Sequence, residues 1–390
     1  MVAELPAGRL PVGDLTSLIE SSNIRRVHVL AWRDLDDPEA GGSEIHAHEV
    51  VRRWAAAGLD VTVRTSRAAG LPETDERDDY QVIRRGGRFQ VFPDAVIAEL
   101  FRQHGRRDAV VEIWNGVPYL TPLWVRGPRM ALLHHHHEAL WPLALPAPAA
   151  WLGSFFERRI APPFYRSTPV VTLSDSSRAE LLRALRLRPR HVHVVEPGVS
   201  DNFTPGGSRA PEPLVVVAGR LATYKRIDSL IHALSVVREQ LPQVRLEVIG
   251  SGEAEADLRR IVARLGAGSW VRFLGRVSED RLIEAYRRAW VVASTSTSEG
   301  WGMTLTEAAR CATPTVATRI PGHLDAIADG VSGFLVEKGP ELVNRLSEIL
   351  SEPARRDELA AGAREWSSRF DWDQTATELF RILASTVRGR

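Results

Sequence analysis

Ser298-Glu299-Gly300-Trp301-Gly302-Met303-Thr304-Leu305-Thr306-Glu307-Ala308 places two carboxylates eight positions apart, with two glycines and no charge between them. An apolar run at 290–293 precedes it and a helix-forming pattern follows. The order is strand, glycine-containing loop, helix start. Such a loop leaves backbone N–H groups unpaired at a helix N-terminus, where aligned peptide dipoles make the potential positive. A phosphate or diphosphate fits that position. Glu299 in the loop and Glu307 on the early helix can each take a sugar hydroxyl. Diphosphate donors flanked by two hydroxyl-binding carboxylates suit a nucleotide sugar.

Three more segments stand in order around that stretch. Upstream is Ala218-Gly219-Arg220-Leu221-Ala222-Thr223-Tyr224-Lys225-Arg226. Downstream come Glu307-Ala308-Ala309-Arg310-Cys311-Ala312-Thr313-Pro314-Thr315-Val316-Ala317 and Gly330-Val331-Ser332-Gly333-Phe334-Leu335-Val336. The set resembles the retaining glycosyltransferases of family 4, which adopt the GT-B fold. The opening stretch is similar to their E-x7-E motif. The others are similar to their G-R-L…K, E-A-x-x-x-G-T-P-V-V-A and D-G-x-x-G-x-L-V segments. The resemblance implies an α/β protein of GT-B type: two Rossmann-like doubly wound domains facing a central cleft, with a C-terminal helix crossing back to the first domain. Two departures stand out. Thr295 occupies a place often held by proline, and Ala312 one usually held by glycine. Both read as backbone tolerances away from the chemistry.

At 390 residues the chain exceeds one core of ordinary size, so two domains are expected. The apolar fraction of 44% and charged fraction of 25% are those of a globular protein. A net charge of +1 gives no bulk electrostatic reason to bind nucleic acid. Cys311, the only cysteine, excludes an intrachain disulfide and a thiolate metal cluster. No apolar run is long enough to span a bilayer, and residues 1–24 lack the pattern of a signal peptide. A cytoplasmic enzyme is therefore expected. Only two of the 50 basic residues are lysine, Lys225 and Lys338. Lysine is a compact point charge where arginine is a wide fork, so Lys225 beside Arg220 suggests a tight polyanion pocket.

Periodicity divides the chain. Residues 1–24 read as an N-terminal extension, flexible in the expected picture. A Rossmann-like acceptor-side domain follows at 25–198, joined by the C-terminal helix at 373–390. It opens with a buried strand at 27–32, a loop ending in Gly41-Gly42, a helix from about Ser43 with the stripe Ala47, Val50, Val51, Trp54, Ala55, and a strand at 61–65. Further strands are expected at 109–114, 130–133, 170–173 and 192–195, a helix at 174–185, and an irregular loop then a helix across 140–163. A Pro, Gly and Ser-rich linker is expected at 199–213. The donor domain, 214–372, alternates strands at 214–217, 245–249, 271–274, 290–293, 315–317 and 334–336 with helices. Ligands in such sheets bind at the carboxyl ends of strands.

Arg220 and Lys225 follow the first strand of the donor domain and can neutralise a departing diphosphate, lowering the barrier as charge grows on it. By the resemblance, Glu299 holds hexose hydroxyls and Glu307 the ribose, while the backbone of Gly300, Gly302, Met303, Thr304 and Leu305 meets the donor phosphate or sugar. Gly219, Gly250, Gly252 and Val277 follow strands and are candidate donor contacts; a glycine there is also an ordinary turn. Gly41 and Gly42 open a first-domain helix and are candidate phosphate or acceptor contacts.

His134-His135-His136-His137 follows a strand in mid-chain. Adjacent residues of an extended segment alternate sides, so two at most share a face. The resemblance puts a histidine near the donor hexose; His134 and His135 are favoured, with His137 third. No metal is expected, because Arg220, Lys225 and a helix tip already supply positive charge. No cofactor is expected, the nucleotide sugar being a co-substrate. Retaining transfer by double displacement would need a carboxylate under the anomeric carbon. None announces itself, which fits the front-face route usually described for the family.

The expected activity is retaining hexosyl transfer from a UDP- or GDP-sugar to a hydroxyl of a glycan, lipid-linked or small-molecule acceptor. The alternatives are a nucleotide-sugar epimerase on the same fold and a non-catalytic nucleotide-sugar-binding protein. Trp141, Trp151, Phe155, Phe156, Phe164 and Tyr165 cluster with Arg158, Arg159 and Arg166. Core packing is the favoured explanation of that cluster; the other is peripheral contact with the anionic inner membrane surface.

Overall fold

The computed structural model describes residues 13–137, 141–337 and 339–387. Fourteen strands form two sheets among these residues. The first sheet contains β1 (Arg26–Leu30), β2 (Asp60–Thr65), β3 (Thr74–Arg77), β4 (Tyr80–Arg84), β5 (Ala109–Ile113), β6 (Arg129–Leu132), β7 (Val170–Thr172) and β8 (Val192–Val194). The second contains β9 (Leu214–Ala218), β10 (Arg245–Ile249), β11 (Val271–Gly275), β12 (Val291–Ser294), β13 (Thr315–Thr318) and β14 (Gly333–Val336). The orders are β3-β4-β2-β1-β5-β6-β7-β8 and β11-β10-β9-β12-β13-β14. Every pairing is parallel except β3 with β4 at an edge.

Both orders start in the middle and wind outward in two directions. Each sheet therefore has one topological switch point, between β1 and β5 and between β9 and β12. Crevices for ligands open at the carboxyl ends of strands at such points. Helices cover both faces of parallel sheets, so the strands are buried on both sides and read as unbroken apolar runs. Leu214-Val215-Val216-Val217 is such a run, buried throughout.

The C-terminal helix Trp372–Ser385 crosses back to the first sheet, as the fold type implies. Asp371 caps it, its Oδ1 accepting from the N–H groups of Asp373 at 2.7 Å and Gln374 at 3.3 Å. Leu379, Phe380 and Leu383 are fully buried in the first-domain core. Trp54 Nε1 donates to the Ala376 carbonyl at 2.9 Å. The chain thus passes between the sheets twice. The passages lie side by side: Val199 N–H donates to Phe370 O at 3.3 Å, and Thr375 Oγ1 to Glu196 O at 2.8 Å. A side chain at Gly198 would collide with the backbone of Asp371 and Trp372.

Three expectations need correction. Gly13–Ser21 is a helix, not part of a flexible extension, and Leu15 and Ile19 enter the first core; residues 1–12 lie outside the described residues. Two strands and a helix, β3, β4 and Val91–Leu100, fill a stretch where none was expected. Residues 141–160 form two helices, Trp141–Ala144 and Ala147–Phe155, continued by a π-turn at Phe156–Ile160.

Candidate functional site

The turns after β9 and β12 meet. Gly219 follows β9 with φ of 130°, a conformation that favours glycine, and an added side-chain carbon there would meet open space. A tight turn, Thr223–Lys225, brings the Lys225 ammonium onto Glu299 Oε1. Ser296 Oγ donates to the same carboxylate oxygen at 2.7 Å. Burial alone would depress Lys225, but the Glu299 carboxylate outweighs it and holds the lysine above its ordinary value. Burial would likewise raise Glu299, and the Lys225 charge with the hydrogen bonds from Lys225 and Ser296 keeps it below the ordinary carboxylate range. Both groups are charged, so the pair is already formed.

Thr295 secures this geometry. Its hydroxyl donates to the carbonyls of Lys225 at 3.1 Å and Arg226 at 2.8 Å. The residue that departs from proline is therefore a tether on the lysine turn, not a neutral tolerance. Ala312, the other departure, adopts φ of 59°. Glycine suits that left-handed conformation better.

Gly302 has φ of 113° and starts the helix Met303–Arg310. His323, fully buried beneath the loop, donates from Nδ1 to the Thr318 carbonyl at 2.8 Å and lies 3.3 Å from Ser294 Oγ through Nε2. Burial holds it below the ordinary histidine value, so it is a neutral prop for the Gly300–Gly302 loop. Glu307 lies on the helix and accepts from Tyr286 Oη at 3.1 Å. Burial pushes its carboxyl up to about 7.

The first sheet supplies the opposite wall. Arg33 follows β1 as Arg220 follows β9, and Arg33 feels the Arg220 charge across the cleft. Arg33 Nη2 donates to Glu39 Oε2 at 2.7 Å, and its guanidinium lies 3.9 Å from the Trp32 ring centroid. Burial lowers the Arg33 value, with Glu44 and Glu39 opposing. Arg33, Arg220 and Lys225 thus line one cleft. The strand-end rule that singled out Arg220 would also have found Arg33, which sequence reasoning passed over.

Gly41 and Gly42 fare differently. The Gly41 N–H is already taken, donating to Glu44 Oε2 at 2.8 Å, so it is not open to a phosphate. Gly42 abuts the second domain, where an added side-chain carbon would sit 3.1 Å from Met303 Sδ. Gly250 and Gly252 are explained by packing. A side chain at Gly250 would collide with the Gly219 carbonyl, and one at Gly252 would sit 2.5 Å from the Leu221 carbonyl. They let the β9 turn lie close against its neighbours. Val277 packs beside the second core.

The histidines alternate as an extended segment should. His134 and His136 are buried, and His135 and His137 are half-buried and stacked, centroids 4.4 Å apart. His134 is turned into the first domain. Its Nε2 lies 3.1 Å from His46 Nδ1 and its Nδ1 3.3 Å from Ser43 Oγ, so both ring nitrogens already have partners in the first domain. Burial holds His135 well below the ordinary histidine value, and the neighbouring histidines and the Lys225 charge act in the same direction. His137 is held by Glu157, which accepts its N–H at 3.2 Å and lies 3.4 Å from Nδ1. Glu157 is fully buried and also takes Trp141 Nε1 at 2.8 Å. Nothing in the sequence marked it as the organiser of this strand end.

The walls touch at Gly300. An added side-chain carbon there would lie 2.6 Å from the His134 carbonyl, and Ser177 Oγ donates to the Gly300 carbonyl at 3.2 Å. Gly300→Ala is expected to hold the walls apart. Activity should fall about tenfold or more while the melting temperature stays nearly constant, a contrast read from kcat/KM beside thermal unfolding. Among the described residues no group of three or more His, Cys, Asp or Glu side chains is placed to hold a metal ion.

Comparison with known proteins supplies the class. The profile of Glycosyl transferases group 1 matches residues 200–366, and that of Glycosyltransferase Family 4 matches 40–203. Relatives include the D-inositol 3-phosphate glycosyltransferases of Xylanimonas cellulosilytica, 30% identical over 91% of this chain and 95% of that one, and of Streptomyces bingchenggensis, 28% identical over 93% and 89%. Among solved structures, sucrose-phosphate synthase of Thermosynechococcus elongatus superposes with a TM-score of 0.78 at 21% identity, covering 94% of this chain and 100% of that one. Anabaena HepE in complex with UDP and glucose gives 0.71 at 20%, covering 93% and 100%. At such identities the structures speak for the fold alone. Two facing Rossmann-like domains joined in this way are those of a glycosyltransferase of the GT-B type. The chain belongs to glycosyltransferase family 4.

Proposed function

We propose that this enzyme moves a hexose from a nucleoside diphosphate sugar, UDP- or GDP-linked, to an acceptor hydroxyl with retention and without a metal. The observation that carries the reading is the charged Lys225–Glu299 pair at the second switch point, with Arg220 on the preceding turn and the Met303–Arg310 helix tip beside it. In this reading Lys225 and Arg220 take the diphosphate, the N–H groups of Met303 to Leu305 take phosphate or sugar, and Glu299 takes hexose hydroxyls. Glu307 holds the ribose and His135 steadies the sugar. The anomeric C–O bond breaks with its electron pair going to the phosphate oxygen. The acceptor oxygen adds on the same face, and its proton passes to that phosphate oxygen. Fixed cations stabilise the charge that grows there. HepE has been solved with UDP-glucose, which supports a diphosphate-sugar donor for this shared fold.

A thermal-shift panel of UDP, GDP, ADP and dTDP sugars, followed by assay of nucleoside diphosphate release with and without acceptor alcohols, tests the proposal. Acceptor-dependent release with an α-linked product from an α-linked donor is the expected result. A new hexose epimer, or binding with no turnover, would overturn it.

A pH dependence follows from Glu307. Ribose hydroxyls donate to the ionised carboxylate, and Glu307 is protonated below about pH 7. Nucleotide binding should therefore weaken as the pH falls, by about tenfold in Kd between pH 8 and pH 6. Calorimetric titration across that range checks it, and Glu307→Gln should flatten the profile.

A further inference from the structure

The helix Ala147–Phe155 is apolar nearly all round, a composition that ordinarily belongs inside a protein. Only Ala150 of it is buried. Trp151 is 67% exposed and Leu152 60%, and Phe155, Ile160 and Phe164 are exposed beyond them. Core packing, the explanation favoured from sequence, holds for Trp141 and Tyr165 and in part for Phe156, but not for Trp151, Phe155 and Phe164. Trp151 and Phe155 stack on the outside, centroids 5.5 Å apart and nearly parallel. The short helix Thr121–Trp124 packs beside Pro162–Tyr165 and carries exposed Leu123. Contiguous apolar surface of this kind marks an interaction site.

Within the segment itself the exposed charges have one sign. Across residues 141–167 the only carboxylate is Glu157, and it is fully buried, turned inward onto His137 and Trp141. Arg159 and Arg166 are exposed. An apolar face carrying a tryptophan, with arginines beside it and no exposed carboxylate within residues 141–167, is complementary to an anionic lipid surface. No helix among the described residues is long and apolar enough to cross a membrane, so attachment would be peripheral.

We propose that residues 147–166 dock this enzyme on a bilayer rich in anionic lipid, with Trp151, Leu152 and Phe155 entering the headgroup boundary. The docking face is tied to the cleft through Glu157, which holds His137 from the same segment.

Co-sedimentation with phosphatidylglycerol-containing vesicles at low salt, beside pure phosphatidylcholine vesicles, tests this without any sugar donor, so its outcome is separate from that of the proposed transfer reaction. Binding to the anionic vesicles only, weakened by salt, is expected. The double variant Trp151→Glu, Phe155→Glu should abolish it, and Arg159→Ala should weaken it about fivefold; both sites are exposed, so the fold is retained, which an unchanged melting curve verifies. No binding to anionic vesicles, or equal binding by the double variant, overturns the proposal. So does a dimer in sedimentation velocity that the double variant dissociates, since the face would then belong to a second copy of the chain.

Discussion

Lys225→Met is expected to lower kcat by about 100- to 1,000-fold, the range seen when one preorganised transition-state donor is removed. The substitution keeps the length of the side chain and removes only the ammonium. That group is the charge partner of Glu299, and Ser296 would remain as a hydrogen-bond donor to the carboxylate. A buried carboxylate without its cation protonates more readily, so two groups fail together. Lys225→Arg should not rescue, because the wide fork cannot occupy the point position set by Thr295 on the turn. Steady-state kinetics with saturating donor measure the effect. A rate within a factor of two of the parent would remove Lys225 from the chemistry and the diphosphate assignment with it.

Phe380→Ala should destabilise the first domain by about 3–5 kcal/mol, the cost of a large buried ring. Phe380 is fully buried and meets Trp54 edge-on, with centroids 5.9 Å apart. The helix that carries it follows the whole second domain in sequence yet completes the core of the first. Loss of that ring should lower the melting temperature by roughly 10 °C. Phe101→Ala is the control: that ring is exposed, and its removal should change stability by less than about 0.5 kcal/mol. Equal effects at both positions would contradict the docking of the C-terminal helix.

The second domain was the more legible half. Its central strands β9 and β12 are buried on both faces, so each reads as a short apolar run, and β10 appears with the expected bounds. Lys225 and Glu299 were readable because strand ends at a switch point converge whatever the loops do. The first domain hid more. β3 is Thr-Asp-Glu-Arg, an edge strand with no apolar pattern. Ion pairs around it take over: Arg84 of β4, fully buried, bonds Asp34 at 2.7 Å through Nε and Asp75 at 2.9 Å. Such pairing is long-range and leaves no periodic trace. Arg33 is marked only by its place after a strand end, since one arginine among so many carries no signal by its type. The inward turn of His134 depends on His46 and Ser43, far away in sequence. An apolar helix such as Ala147–Phe155 reads the same whether buried or exposed, so periodicity could not decide its surroundings.

The paired passages at 196–199 and 370–375 make the molecule hard to take apart. Residues 204–208 are exposed and carry two glycines, a natural target for a protease. A nick there would sever one passage and leave the other intact. The downstream fragment would still have its tail built into the wall of the upstream one, so the halves should co-purify as an interlocked pair and come apart only on denaturation.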